Sequence, residues 1–547
     1  MPPITPSKRK TRSKLLAAGL VALLSGCATQ PLAQTRSAAS VAPAAVLIEG
    51  GTIYDGGEGP PFVGDVALRG DRIVYVGPPR SIEARQTVNA RGMIVTPGFI
   101  DPHTHADVFL RSASRSQRVN AAWLNQGVST VVIGVDGGGT PEVADDAAKL
   151  TEAGVGTNVI PFVGFGAIRG RVLGSQSRAP DRQELAEMKR LVAKAMCEGA
   201  RGLSTGLFYT PQSFATTEEV IAVAKEAARR GGIYDTHQRD ESSYSIGLLG
   251  SVEEALRIGR EAGMPVHFAH IKALGVDVQG YAPQLIAMIE AARRNGSEVT
   301  ADQYPWLASG TSVEASLLPG WALAGGREAL AKRLADPAQR RRIEEAMTES
   351  LRRRGGASSM LLTALNQPWT GKTLAQMADV WEVSPIDAAV RIIQAGLDKG
   401  GSGGDVASFN MAERDVELLM QQPWVITSSD GSNGHPRMFA TYPEKYRKYV
   451  REKHTIDLGR FVRQSTGQVA DIYKIDGRGY LKPGNYADVL VFDPDEFAPR
   501  ADYLKPRELS VGVKALFVNG TMAVKDSSAT GAAAGKVLLR TTVPDCR

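Results

Sequence analysis

Cysteine is scarce: three residues in a chain of 547 cannot make a disulfide framework, and none stands in the Cys/His spacing of a zinc finger. Long apolar runs are scarce too. The stretch Leu15 to Leu24 (LLAAGLVALL) is ten residues long, too short to cross roughly 30 Å of bilayer hydrocarbon as a helix. An excess of one charge is also missing. The formal net charge of +6 owes five units to Lys8, Arg9, Lys10, Arg12 and Lys14, so about +1 remains without them, which excludes an electrostatic case for nucleic acid as partner. What is present, 43% hydrophobic and 22% charged residues, is the composition of a globular chain with one large core or two ordinary ones.

The first residues read as an export signal. A basic segment, a short apolar run and then Leu24-Ser25-Gly26-Cys27 resemble the bacterial lipobox, in which the cysteine is acylated and becomes the new N-terminus. Residues 1–27 are therefore expected to be a lipoprotein signal segment, and 28–45 (ATQPLAQTRSAASVAPAA) a flexible tether. The acyl chains at Cys27 would hold the protein to a lipid bilayer, expected to be the periplasmic face of a bacterial outer membrane. Cys197 and Cys546 remain, and the sequence leaves open whether they pair.

Residues 46–93 carry short β-branched runs broken by glycine and aspartate (VLIEGGTIYDG, GDVALRGDRIVYVG), and the same texture returns over 478–547. Both ends together predict one small β domain. Between them, 94–477 alternates apolar strands with amphipathic helices. Strands are expected at 94–100, 128–134, 158–163, 201–207, 232–236, 265–269, 298–302 and 424–428. Over 183–196, Leu185, Met188, Val192, Ala195 and Met196 share a helical face, and Thr216/Glu219 and Ser251/Glu254 have capping-box spacing. Eight strands with intervening helices predict an α/β fold, a TIM-like (β/α)8 barrel. The long stretch between strands 7 and 8 predicts an insertion, about 311–422, over the barrel mouth.

Three histidine-bearing segments and one acidic segment follow expected strands directly: FIDPHTHAD, DTHQRDE, FAHIKALG and ITSSDG. The C-terminal ends of barrel strands converge, so His103, His105, His237, His270 and Asp430 can meet around a metal. His103 and His105, two apart on extended backbone, point to the same side. His267 has the wrong parity for that face and is expected to be structurally satisfied. Arg239, Asp240 and Glu241 are expected to orient the ligands or neutralise one another, and Asp107 to accept backbone hydrogen bonds in the turn after His105. His435 is a possible substrate contact, and the run KYRKYVREKH, with His454, reads as a solvated helix face.

The motif VTPGFIDPHTHAD, with flanking β segments and a terminal acid, resembles the metal-dependent amidohydrolase superfamily. Within it GTIYDG, NQGVSTVVIG, GLSTGLFYTP, GGIYDTHQRDE, HFAHIKALG and DGSNGHPRMFATYPEKY resemble the D-aminoacylase, or N-acyl-D-amino-acid deacylase, family over about 46–542. The resemblance implies that His103 and His105 hold one metal, that His237 and His270 hold another, and that Asp430 lies by the attacking water. It implies Zn2+, one or two ions. Where the family carries a cysteine ligand this chain has Asp136, and strand 4 offers no lysine to bridge two metals, so Asp136 is the candidate bridge. A carboxylate is a harder ligand than a thiolate, which makes Mn2+ or Co2+ competitive. A second departure, Phe165 where relatives often carry histidine, is expected at the pocket wall.

The activity implied is hydrolysis of the amide of an N-acyl-D-amino acid, the small-molecule partner, with Asp430 as acid and base. Lys272 and Arg437 are candidates to grip the substrate carboxylate, and Tyr209 to donate to the developing oxyanion. A dipeptidase or cyclic-amide hydrolase on the same scaffold stays open, and so does a non-catalytic binding lipoprotein.

Overall fold

The computed structural model describes residues 44–399, 401 and 403–546; the signal segment, Cys27 and nearly all of the tether lie outside the described residues. Eight parallel strands form the barrel: β1 (Phe99–Asp101), β2 (Val128–Ile133), β3 (Asn158–Pro161, continuing as Val163–Gly164), β4 (Gly202–Gly206), β5 (Ile233–His237), β6 (Val266–Phe268), β7 (Val299–Gln303) and β8 (Val425–Thr427). The two parts of β3 pair with β2 and β4 respectively. A parallel bridge from Thr104 to Gly431 closes the ring between the ends of β1 and β8. Sequence and position agree, because a strand covered on both faces tolerates no regular polar alternation. All six residues of β2 (VSTVVI) are buried.

The strand expected at 94–100 is two strands. Ile94–Pro97 pairs antiparallel with Val489–Phe492 in a nine-stranded sheet drawn from both chain ends, and only the next residues enter the barrel. Gly98 makes the transition, since a Cβ there would lie 2.5 Å from Ser129 Oγ. The sheet packs Val46, Ile48, Val66, Val489 and Phe517 into its own core. The last residues leave it. Gly535 and Leu538 donate backbone hydrogen bonds to Val155 and Val159 at the β3 entrance, Arg540 donates to Gly199, and Cys546 is disulfide-bonded to Cys197. The chain's end thus runs along the barrel bottom, away from the β sheet.

The segment joining β7 to β8 folds on a core of its own, with Leu334, Ile343, Met347 and Ile392 among its members. It holds an antiparallel sheet of Ala308–Ser312, Asp405–Phe409 and Met360–Leu362, with helices Pro337–Arg353 and Pro385–Asp398. Helix Arg182–Cys197 buries Met188, Val192, Ala195 and Met196 as expected from their spacing. Thr216 caps its helix by accepting from the Glu219 amide.

Three local expectations are corrected. Ser251 is no cap, because its helix starts at Gly247 and the Ser251 hydroxyl accepts instead from the Asp240 amide at 2.9 Å. In KYRKYVREKH one face is buried: Lys445 reaches inward to donate to Thr427 Oγ1 at 2.9 Å and Gln464 Oε1 at 3.2 Å. Phe165 packs among Ile168 and Leu203 in the barrel core and does not line the mouth cavity. Among the described residues no helix is long and apolar enough to cross a membrane.

Candidate metal centre

At the C-terminal ends of β1, β2, β5, β6 and β8 five segments aim side chains at one point. His103 and His105 follow β1, Asp136 follows β2, His237 ends β5, His270 follows β6 and Asp430 follows β8. Three of these depart from ordinary backbone: Asp136 (φ 52), His270 (φ 34) and Asp430 (φ 46) are left-handed. Such conformations cost about 1–3 kcal/mol each and persist only where surroundings impose them. Here the surroundings are specific hydrogen bonds. The His270 amide donates to Asp302 Oδ1 at 2.8 Å, the Asp430 amide to the His103 carbonyl at 3.0 Å, and Gln212 Nε2 to the Asp136 carbonyl at 2.9 Å. The chain turns off each strand while its side chain stays aimed into the mouth.

Two groups of ligands face each other. In the first, His105 Nε2 lies 3.2 Å and His103 Nε2 3.9 Å from Asp430 Oδ1. In the second, His237 Nδ1 is 3.0 Å from His270 Nε2, and Glu241 sits behind them, its Oε1 3.1 Å from His270 Nδ1. Asp136 stands between: Oδ1 is 3.3 Å from His103, 3.6 Å from His270 and 3.8 Å from His237, and Oδ2 is 3.6 Å from His105.

The donors fit a cation. His103 Nε2 and Asp136 Oδ1 are 3.3 Å apart, yet both are buried without a hydrogen bond, and a cation between them would satisfy both. Three triads, His103/His105/Asp430, His103/Asp136/His270 and His237/Glu241/His270, bring their ligand atoms within 4.8 Å. The electrostatics agree. Burial opposes a proton on His103, but Asp136, Asp302 and Asp430 outweigh it and raise its pKa to about 10. On His270, burial and Lys272 are outweighed by Asp430 and Glu241, which raise it to about 9. Burial lowers His237 to about 4. Asp136 and Asp430 are held well below the ordinary carboxylate range, the cations around them overcoming burial. A buried, acid-rich cradle holds positive charge as imidazolium protons, and a metal ion supplies the same charge at the same place.

The candidate substrate-binding cations are already engaged. Lys272 is buried, donating to Glu241 Oε1 at 2.6 Å and to the His270 carbonyl at 2.8 Å. Arg437 Nη1 lies 2.8 Å from Asp430 Oδ2, and its Nη2 donates to Ser432 Oγ at 2.8 Å. Both still line the cavity, which measures about 1030 Å3. The Tyr209 ring lies tilted against the His237 ring, centroids 4.7 Å apart, with its hydroxyl 3.5 Å from Thr311 Oγ1, and burial raises its pKa.

Neighbouring expectations separate. His267 is satisfied by Thr300 at 2.7 Å and Asp302 at 3.0 Å. Arg239, Asp240 and Glu241 do not neutralise one another: Arg239 pairs with Glu254 at 2.8 Å, Asp240 caps a turn by accepting the Ser242 and Gly247 amides, and Glu241 turns to the histidines. Asp107 pairs with Arg111 at 2.9 Å in place of backbone donors. His435 is used internally, with Nε2 at 3.1 Å from the Ala308 carbonyl and Nδ1 accepting from the Arg437 amide. Asp302, which anchors both His267 and His270 from the end of β7, is absent from the sequence reading. Its only signal was an acid at the end of an expected strand, beside Gln303.

No family model matches the chain. A D-aminoacylase of Alcaligenes xylosoxydans xylosoxydans is 31% identical over 528 residues, covering 91% of this chain and 98% of its own. An N-acyl-D-aspartate deacylase of the same organism is 31% identical over 529 residues, covering 91% and 95%. The crystal structure of N-acyl-D-glutamate deacylase from Bordetella bronchiseptica, complexed with zinc and a phosphonate mimic of the tetrahedral intermediate, superposes with a TM-score of 0.78. It is 28% identical and covers 91% of this chain and 100% of its own.

Proposed function

Since the chain belongs to the D-aminoacylase, or N-acyl-D-amino-acid deacylase, family of metal-dependent amidohydrolases, we propose that its mouth cavity is a deacylase site with the roles that follow. The enzyme hydrolyses the amide of N-acyl-D-amino acids and releases a carboxylate and a free D-amino acid. The observation that carries this is the convergence of four histidines on Asp136 at the barrel mouth, with Asp430 against His103 and His105.

His103, His105 and Asp430 would hold one ion and His237 and His270 another, with Asp136 reaching both; Zn2+ suits the set, and the carboxylate of Asp136 leaves room for Mn2+ or Co2+. When bound, the metal supplies positive charge that makes water more acidic and polarises the amide carbonyl. Asp430 takes the proton of the attacking water and returns it to the leaving nitrogen, which needs it because an amide anion departs poorly. Arg437, 2.8 Å from Asp430, fixes that carboxylate and offers remaining donors to the substrate carboxylate. Lys272 adds a fixed charge beside it, and the Tyr209 hydroxyl donates to the oxyanion.

The chain would work outside the cytoplasm, anchored through acylated Cys27. The lipobox-like residues support this, and so does the Cys197–Cys546 disulfide, a bond that persists in oxidising compartments. Fatty-acid labelling checks the anchor: wild type takes up label and Cys27→Ser does not, and equal labelling refutes it. For activity, the metal-reconstituted protein is screened against paired D and L N-acetyl amino acids with detection of free amine. Turnover of the D series is expected. Turnover of neither series, with turnover of dipeptides or cyclic amides, overturns the assignment.

A further inference from the structure

The turn that presents Asp430 hangs between two buried carboxylates, neither of which lines the cavity. On one side stands Asp101 of β1, whose Oδ1 accepts from the Ser429 amide at 3.0 Å and whose Oδ2 accepts from Trp123 Nε1 at 2.9 Å. On the other stands Asp302 of β7. Its Oδ1 accepts from the Ser428 hydroxyl, and the same oxygen accepts from the His270 amide at 2.8 Å. The backbone between the two acids is engaged as well. The Ser428 amide donates to the Gln303 carbonyl at 3.2 Å, the Gly431 amide to Ser429 Oγ at 3.0 Å, and the Asp430 amide to the His103 carbonyl at 3.0 Å.

A buried carboxylate is costly unless its oxygens are fully hydrogen-bonded, and here two of them are committed to one short turn. The need for such a hold is local. Asp430 is left-handed (φ 46), a conformation that persists only where the surroundings impose it. Ser428 stands two residues before it, is 0% exposed and does not line the cavity, so it has no access to substrate. Its hydroxyl shares one Asp302 oxygen with the His270 turn, which is also left-handed (φ 34). The two turns, one from each half of the centre, are therefore tied together beneath the mouth.

We infer that Ser428 is a positioning residue for Asp430: docked on the Asp302 oxygen that also holds the His270 turn, its hydroxyl keeps the Asp430 carboxylate beside His105 and Arg437. The inference rests on the deacylase reading, in which that carboxylate moves the proton. Ser428 touches neither substrate nor reacting atoms and acts only through the acid.

Ser428→Ala removes this tie and nothing that faces the cavity. Misplacing a reacting group by about 1 Å costs on the order of a hundredfold, so kcat on an N-acetyl-D-amino acid should fall by roughly tenfold to a hundredfold. KM and metal content per protein should stay near wild type. Ser428→Thr keeps the hydroxyl and should recover most of the loss. Crystal structures give a reading that does not depend on turnover: in Ser428→Ala the Asp430 carboxylate leaves its 2.8 Å contact with Arg437, and in Ser428→Thr it keeps it. A merely structural serine would lower the thermal midpoint and leave kcat per folded protein unchanged, which overturns the inference. An unmoved Asp430 in the alanine variant, a folded threonine variant as slow as alanine, or loss of metal in step with kcat also overturns it. Should Ser428→Ala fail to fold, Ser428→Cys, close in shape and a weak donor, carries the same expectations. If wild type turns over no N-acyl-D-amino acid, the deacylase reading fails instead. The crystal structures then decide the positioning alone: a displaced carboxylate supports it, and an unmoved one overturns it.

Discussion

The two halves of the metal centre are built alike and differ in one respect. Each has two imidazoles, one carboxylate and a cation behind the carboxylate: Asp430 with Arg437 at 2.8 Å, and Glu241 with Lys272 at 2.6 Å. In the first half the carboxylate lies beside His105, whose side chain is 35% exposed toward the mouth. In the second, Glu241, His270 and Lys272 are all buried and bonded to one another. The open half leaves a carboxylate beside the space where substrate and water enter, and the closed half spends its acid on orienting an imidazole. On the proposed deacylase reading, proton transfer belongs to the first and metal retention to the second.

The comparison breaks most visibly at Asp430. Asp430→Asn keeps shape but cannot accept a proton, so kcat should fall by about a thousandfold with bound metal largely retained, as read by elemental analysis beside kinetics. Parallel loss of metal and activity would make Asp430 chiefly a metal ligand and leave the proton to another group. Glu241→Gln is expected to act the other way, weakening metal affinity by roughly tenfold to a hundredfold while enzyme at saturating metal recovers most of its kcat. Competition with a chelator measures it.

A pH experiment sharpens the same contrast. In the metal-free protein His103 and His270 are raised from 6.5 to about 10 and about 9. Their contribution to stability is therefore complete below the unfolded value and is lost as pH climbs through the folded ones. The depressed carboxyls of Asp136 and Asp430 contribute above the ordinary carboxylate value of 3.8 and lose that contribution only in stronger acid. The thermal midpoint of chelated protein should fall between about pH 7 and pH 10, whereas metal affinity rises over that range because the ligands must shed protons. A flat midpoint for the chelated protein would mean that His103 and His270 are neutral at pH 7. The smallest effect lies far from the mouth: Cys197→Ser frees the C-terminal strap, lowering thermal stability by about 2–5 kcal/mol and exposing residues after Gly535 to protease, with kcat unchanged.

How far sequence reached follows from the range of each interaction. The strands and the ligands after them are local signals, an apolar run and then a His or Asp, and they were legible. Glu241 was legible only as a member of an Arg-Asp-Glu cluster, because its partners His270 and Lys272 come from the next strand. Lys445, read as solvated, is buried by residues 427 and 464. Ser251 matches a capping box by spacing, but its helix begins a turn earlier. Gly98 looked like strand because the sheet it leaves and the barrel it enters both favour β-branched neighbours. Arg354, 2% exposed, was invisible: nothing in RRRGG says which arginine turns inward.

The central claim is that Asp136 joins the two halves. Its Oδ1 lies 3.3 to 3.8 Å from His103, His270 and His237 and its Oδ2 3.6 Å from His105, so this one carboxylate reaches both histidine pairs. The most direct test is metal content per folded protein for wild type, Asp136→Ala and Asp136→Cys after reconstitution with Zn2+, Mn2+ and Co2+. Asp136→Ala should lose one metal equivalent while keeping the fold, and Asp136→Cys should keep binding and shift preference toward zinc, as a softer ligand does. Unchanged stoichiometry and unchanged preference in both variants would contradict the account and leave Asp136 as a turn residue beside a centre held by other groups.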